Sequence, residues 1–190
     1  DLKAGLEVGG YRLTEFLSAG GWGEVWVAEH DDGLGTVKKF ALKFLRPDRV
    51  ADREDRDRAL SWFRQEVQTL SQIDHPHVVG YNDADYYLPP RSHLALPYFV
   101  MDYKPGALPV CGALRDLDTQ AKVGEFLKIC QAVQAIHRLD FLHLDLKPAN
   151  VIVVQQGRQY HPYVLDLGFA RKYAPARPVY SEWVRAGTVP

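Results

Sequence analysis

The sequence predicts an α+β chain in two lobes, on three observations. Residues 1–103 hold several short runs that alternate polar and apolar, with one helix-period run among them. Pro105-Gly106 breaks the pattern. Residues 104–190 hold a second helix-period run followed by loops and short apolar runs. A length of 190 residues fits one domain or two small lobes. At 46% apolar, the chain can pack a core and is unsuited to wholesale disorder. A formal net charge of −1 lacks the basic footprint of a general nucleic-acid binder. No apolar run approaches the roughly 18 residues a membrane span needs, and residues 1–20 lack a basic-then-apolar signal pattern. Cys111 and Cys130 are the only cysteines, too few for a disulfide scaffold and suited to a reducing, cytoplasmic setting.

Taken in order, Tyr11 to Leu17 alternates as a half-buried strand does, and Glu24 to Glu29 resumes the alternation after the glycine-rich Ser18-Ala19-Gly20-Gly21-Trp22-Gly23. That connection is longer than a two-residue hairpin, so its glycines have a use beyond reversal. A third strand, Lys39 to Leu45, follows the Asp31-Asp32-Gly33 turn signal. The mixed charges of Asp48 to Arg58 suit a solvated loop or helix face. They lead into Leu60, Phe63, Val67 and Leu70, whose spacing predicts an amphipathic helix stopped by Pro76. Strand composition returns over 78–103 around Leu88-Pro89-Pro90, with Tyr98 to Tyr103 apolar enough to be buried. Residues 119–139 read as a helix with Thr119 as cap and Val123, Phe126, Leu127, Cys130, Val133 and Ile136 on one face. Phe141 to Asn150 reads as loop, with short strands at Val151–Val154 and Tyr163–Leu165.

The chemistry-bearing residues concentrate in two short stretches. Asp145, Lys147, Asn150 and Asp166 supply a carboxylate, an ammonium, an amide and a second carboxylate. Amide and carboxylate oxygens suit Mg²⁺, which prefers hard oxygen ligands and takes the remainder from phosphates and water. Lys147 lies two residues past Asp145, so both side chains can point the same way from an extended loop. Phosphoryl transfer needs such a group: a carboxylate for the hydroxyl, metal ligands, and a cation for the moving charge.

These strings resemble those of the eukaryotic-type Ser/Thr protein kinases. His143-Leu144-Asp145-Leu146-Lys147-Pro148-Ala149-Asn150 is similar to the family's catalytic loop, and Asp166-Leu167-Gly168 to its metal-binding segment with Leu for Phe. Ala41-Leu42-Lys43 resembles the third-strand lysine motif, with Glu66 where the partner glutamate should lie. The match runs in order from about Leu13 to Thr188. It implies a two-lobed protein-kinase-like fold, with an antiparallel sheet plus one helix in the N-lobe and a mainly helical, incomplete C-lobe. The N-lobe would be 1–103, with the glycine-rich loop, the third-strand lysine and the helix. The partial C-lobe would be 104–190, with the catalytic loop, metal-binding segment and activation segment.

The resemblance also implies roles. Asp145 would be the catalytic base, Lys147 would stabilise the transferring phosphoryl group, and Asn150 and Asp166 would hold Mg²⁺. Lys43, paired with Glu66, would contact the α and β phosphates of ATP. Leu17 would bind the cofactor, and Ser18, Gly20, Gly21 and Gly23 would form the glycine-rich loop over its phosphates, Ser18 standing where the family has glycine. Val25 and Ala41 would wall the adenine from above and Ile152 from below. Met101 would be the gatekeeper, with Asp102-Tyr103-Lys104 the hinge. Thr188, in Gly187-Thr188-Val189-Pro190, would hydrogen-bond near Asp145 and Lys147 in the substrate-docking loop. The implied partners are ATP and a protein carrying a Ser or Thr hydroxyl.

Two departures stand out. Leu144 replaces an arginine that reads activation-loop phosphate, so activity less dependent on that phosphorylation, or controlled some other way, is expected, although Tyr173, Tyr180 and Ser181 leave hydroxyls there as phosphosites. The resemblance also ends at Pro190, before the Ala-Pro-Glu-like segment and the large-lobe helices, which implies truncation within the activation segment. Two alternatives stand beside the protein kinase: a pseudokinase or scaffold that binds without transfer, and a small-molecule kinase of related fold. Lys147-Pro148 and Gly187-Thr188 argue against the second. Elsewhere, His75 and His77 read as a loop after the helix, His143 as a buried support of the catalytic loop, and both cysteines as apolar filler.

Overall fold

The alternating runs of the first hundred residues form one antiparallel sheet. The computed structural model describes residues 2–20, 23–46, 48, 53–168 and 170–173, with backbone only at 53–55. Strands β1 (Glu7–Val8), β2 (Tyr11–Ala19), β3 (Gly23–Asp31), β4 (Val37–Leu45), β5 (Tyr81–Tyr87) and β6 (Leu96–Asp102) lie in the order β1-β2-β3-β4-β6-β5. Helix α1 (Arg53–Leu70) falls between β4 and β5 in the chain. The chain divides into two compact units, Asp1–Val67 with Gly80–Tyr103, and Gln68–Val79 with Lys104–Pro190. The segment Gln68–Val79, expected with the first lobe, thus groups with the second unit. Its backbone explains why: Val79 N–H donates to Val164 O, and Val164 N–H donates to His77 O.

Period-two alternation sorts the first unit's side chains onto two faces. Val8, Leu13, Trp26, Ala28, Leu42, Phe44, Tyr98 and Val100 form one core cluster, edged by Leu2, Leu6, Tyr11, Phe40 and Tyr87. Burying each large apolar side chain there contributes roughly 1.5–3 kcal/mol. Gly9, at φ +57°, lies against the Tyr98 hydroxyl, where any added Cβ would collide. Burial, with Asp85 and Asp83 nearby, pushes the Tyr98 phenol up to about 12. The opposite face is set by register. Val25 pairs with Lys43 and Lys43 with Phe99, while Val27 pairs with Ala41 and Ala41 with Met101. Paired residues share a face, so these six stand together. Helix α1 covers part of that face, its Phe63 ring 5.4 Å from Phe99. Its buried stripe is Ala59, Phe63, Glu66 and Leu70, with Leu60 and Val67 on the half-buried flank. The helix ends at Leu70, well before Pro76, in a turn closed by Gln72 N–H to Thr69 O and Ile73 N–H to Leu70 O.

The second unit contains β7 (Leu108–Pro109), α2 (Val110–Ala113), α3 (Thr119–Arg138), β8 (Phe141–Leu142), a 3-10 turn at Pro148–Asn150, β9 (Val151–Gln156), β10 (Gln159–Val164) and β11 (Arg171–Lys172). Its strands pair as β10-β9-β7 and β11-β8. The predicted strands at Val151–Val154 and Tyr163–Leu165 are therefore the open end of a longer hairpin. Helix α3 is capped by Asp118 rather than Thr119, the Asp118 carboxylate accepting from Ala121 N–H. It buries Ile129, Ala132 and Ile136, whereas Val123, Phe126 and Leu127 are each more than half exposed. Its apolar stripe is wider than one contact, and among the described residues the main cover of this helix comes from β8 and β10. Cys111 and Cys130 are both exposed, not core filler, because α2 turns Cys111 outward and Cys130 sits on the uncovered side of α3. Among the described residues no helix is long and apolar enough to cross a membrane.

Candidate active site

The β9–β10 hairpin brings the Asp145 loop and the Asp166 segment to one end. Its last strand pair is Val151 with Val164, so Asn150 just before β9 and Leu165-Asp166 just after β10 emerge at the same end. The ladder continues one step further, Leu165 N–H donating to Asn150 O at 2.9 Å. Asn150 is buried, and its Nδ2 donates to the Asp145 carbonyl at 2.8 Å and to Asp145 Oδ2 at 3.0 Å. Lys147 Nζ reaches the same Oδ2 at 2.8 Å. Asp145, Lys147 and Asn150 therefore form one connected cluster, with Asp166 beginning the adjacent segment and its Oδ1 accepting from Gly168 N–H at 3.4 Å.

His143 holds this loop from beneath. It is 3% exposed, and its Nδ1 accepts from Asp145 N–H at 3.3 Å while Nε2 lies 3.1 Å from Leu165 O. An acceptor at Nδ1 and a carbonyl partner at Nε2 require the neutral tautomer protonated at Nε2. Burial draws its pKa down, against smaller raising effects from the Leu165 carbonyl, Asp166 and Asp145. Leu144 and Asp166 adopt left-handed backbone, at φ +64° and +58°. For a residue with a Cβ that conformation costs roughly 1–2 kcal/mol. At Leu144 it folds the chain back so that Asp145 N–H meets the preceding histidine.

In the first unit Lys43 Nζ meets Glu66 Oε1 at 2.7 Å, the two side chains 15% and 6% exposed. The Lys43 ammonium also lies 5.8 Å from the centre of the Phe99 ring, within cation–π range. Gly23 sits against Lys43, where an added Cβ would come within 3.1 Å of Lys43 Cε and 3.0 Å of Phe44 O. Gly20 N–H donates to Gly23 O at 2.8 Å, closing the glycine-rich turn that follows Leu17 and Ser18 on β2. Val25, Ala41 and Met101 share the Lys43 face by register. Asp102 is anchored by its own N–H to Gly80 O at 2.9 Å and by Asn82 Nδ2 at 3.0 Å. Ile152 lies on β9 in the second unit. Gly21 and Thr188 lie outside the described residues, as do Trp22, Gly187, Tyr180 and Ser181.

Within each unit the structure therefore brings together Lys43 with Glu66, and Asp145 with Lys147 and Asn150. Sequence reading had not found Phe99 beneath Lys43 or the Leu165 carbonyl beside His143. The first depends on strand register and the second is a backbone group, so neither leaves a residue-level signature.

The family model described as the protein kinase domain matches residues 11–188. A probable serine/threonine-protein kinase of Streptomyces coelicolor is 33% identical over 166 residues, covering 86% of this chain and 23% of its own length. The serine/threonine-protein kinase Pkn1 of Myxococcus xanthus is 31% identical over 172 residues, covering 90% and 23%. The crystal structure of the PknI kinase domain of Mycobacterium tuberculosis, in a double-mutant form, superimposes with a TM-score of 0.66 at 25% identity, covering 90% of this chain and 65% of that one. The chain spans about a quarter of the length of these curated relatives.

Proposed function

This chain belongs to the protein kinase domain family, and on that premise we propose that it transfers the γ-phosphoryl group of MgATP to a Ser or Thr hydroxyl of a protein substrate. The observation that carries this reading is the buried amide of Asn150 holding Asp145, with the Lys147 ammonium on the same carboxylate oxygen. In this reading Asp145 accepts the proton as the substrate O–H bond breaks. The hydroxyl oxygen then bonds to the γ-phosphorus while the bond to the ADP oxygen breaks. Lys147 offsets charge on the moving group, and Asn150 fixes the carboxylate in place. Lys43, held by Glu66, orients the α and β phosphates, and the backbone at Gly20 and Gly23 approaches them without side-chain obstruction. Leu17, Ser18, Val25, Ala41, Met101 and Ile152 contribute to nucleotide binding, and the backbone at Asp102 and Tyr103 meets the adenine edge. Gly21 and Thr188 keep the roles the family likeness implies.

The donor set also suits Mg²⁺. The Asn150 nitrogen is committed to Asp145, which leaves Oδ1 as its side-chain acceptor, and Asp166 adds carboxylate oxygens. When bound, the ion would neutralise phosphate charge. We further propose a cytoplasmic location and, on the near-neutral charge, no nucleic-acid partner.

The test is Mg²⁺-dependent transfer of labelled γ-phosphate from ATP to a generic basic protein by the intact protein. The wild type labels Ser or Thr. Asp145→Asn loses about 10²–10⁴-fold in rate, the usual contribution of a positioned base, while still binding ATP. A wild type that binds ATP and labels nothing would overturn the proposal in favour of a pseudokinase.

A further inference from the structure

The residues on either side of Tyr103 are each held within their own unit. On the first unit's side Asp102 is held through its N–H to Gly80 O and through Asn82 Nδ2. Gly80 packs so closely that an added Cβ would lie 2.8 Å from Asp102 Oδ2. On the second unit's side Lys104 places its ammonium 4.5 Å from the centre of the Tyr163 ring. That distance is well inside the range in which a cation is attracted to a ring face. Ala107 N–H returns to Lys104 O at 3.2 Å, closing the Lys104–Ala107 turn.

Tyr163 stands at a meeting point within the second unit. On β10 it pairs directly with Ile152 of β9, and Ile152 pairs on its other side with Pro109 of β7. Directly paired residues share a face, so Pro109, Ile152 and Tyr163 form one row across the sheet, with the Lys104 ammonium on the Tyr163 ring. Three residues beyond Tyr163 comes Asp166. One aromatic ring thus neighbours the apolar floor residue, the last residue of the hinge and the strand that delivers the acidic segment.

We propose that Tyr163 is a positioning residue for the nucleotide: its ring face fixes Lys104, the last hinge residue, on the same unit as Ile152, which pairs with Tyr163. This rests on the kinase reading above. Tyr163 acts through Lys104 and Ile152 and touches neither the phosphates nor the transferred group, so its effect falls on nucleotide affinity rather than on the chemical step. The attraction requires the ring face and not the hydroxyl, so phenylalanine should serve in its place.

The experiment measures equilibrium binding of MgATP to the intact protein by calorimetry, together with KM for ATP, kcat and thermal midpoint. The variants are Tyr163→Phe, Tyr163→Leu, Lys104→Met and the last two combined. Tyr163→Leu should weaken ATP binding about 3- to 10-fold, the scale of one partly shielded cation–π contact, with the loss appearing in KM. Tyr163→Phe should bind within twofold of wild type. The combined variant should bind no more weakly than the worse single one, because both remove the same contact. Unchanged ATP affinity in a folded Tyr163→Leu, or losses that simply add in the combined variant, would overturn the inference and leave the kinase reading intact. Should Tyr163→Leu fail to fold, Lys104→Met carries the affinity test alone. A wild type that binds no ATP would overturn both.

Discussion

Lys43 and Glu66 show what a single contact between distant residues does. They are 23 positions apart, largely buried, and 2.7 Å from each other. Neutralising one member of a buried pair leaves the other charge poorly solvated, so Glu66→Gln should destabilise by about 3 kcal/mol. The denaturant midpoint should fall at unchanged slope, and a shift within 0.5 kcal/mol (about the scatter of surface substitutions) would refute it. His143 predicts a pH effect. Burial first of all holds its folded pKa below the ordinary 6.5, so below that pH the unfolded chain binds the extra proton and the folded one does not. The histidine therefore costs nothing well above pH 6.5. Its cost grows as pH falls toward the folded value, with a slope of at most about 1.4 kcal/mol per unit. Stability between pH 7 and 5.5 should fall less steeply in His143→Gln than in wild type, and identical slopes would contradict the neutral buried imidazole.

At the scale of elements, helix α3 separates two kinds of apolar residue that one period cannot distinguish. Ile136 is fully buried, whereas Phe126 on the same helix is 60% exposed. Ile136→Ala should cost about 2–5 kcal/mol through lost burial and the cavity left behind. Phe126→Ser should stay within about 0.5 kcal/mol, since it removes little covered surface. Thermal or denaturant melts of both variants check the ranking, and its reversal would mean that the outer face is covered in solution. The hairpin β9–β10 makes the complementary point. Its strands extend further than the apolar runs suggested, because Gln155, Gln156, Gln159 and Tyr160 continue the ladder through backbone hydrogen bonds that require no apolar side chain.

For the molecule as a whole, the charge count matters most. With 23 basic and 24 acidic residues the net charge is −1, so the counterion release that drives non-specific nucleic-acid binding has little to draw on. Titration with duplex DNA at about 0.15 M salt should show binding no tighter than roughly 10⁻⁴ M, the weak end of non-specific association. A micromolar, steeply salt-dependent complex would refute that expectation. Pro105-Gly106 interrupts both periodicities close to where the compact units divide, between Tyr103 and Lys104. That Gln68–Val79 belongs with the second unit was not legible. His77 and Val79 bond to Val164, more than eighty residues away, and nothing local to that segment announces the pairing.

The sequence by itself determined strands β2 to β6 of the first sheet, the two long helices and the order of the functional strings. Each of these rests on local chemistry: alternation, helical period, turn residues, and short motifs such as His143 to Asn150. Tertiary structure decided what depends on partners distant in the chain. It chose which side of α3 is covered, left both cysteines exposed, set Phe99 beside Lys43, and closed Leu165 onto Asn150 and His143. It also laid the Lys104 ammonium on the Tyr163 ring. A side chain's pattern fixes which way it can point, but only the neighbouring strand or helix supplies the surface that buries it.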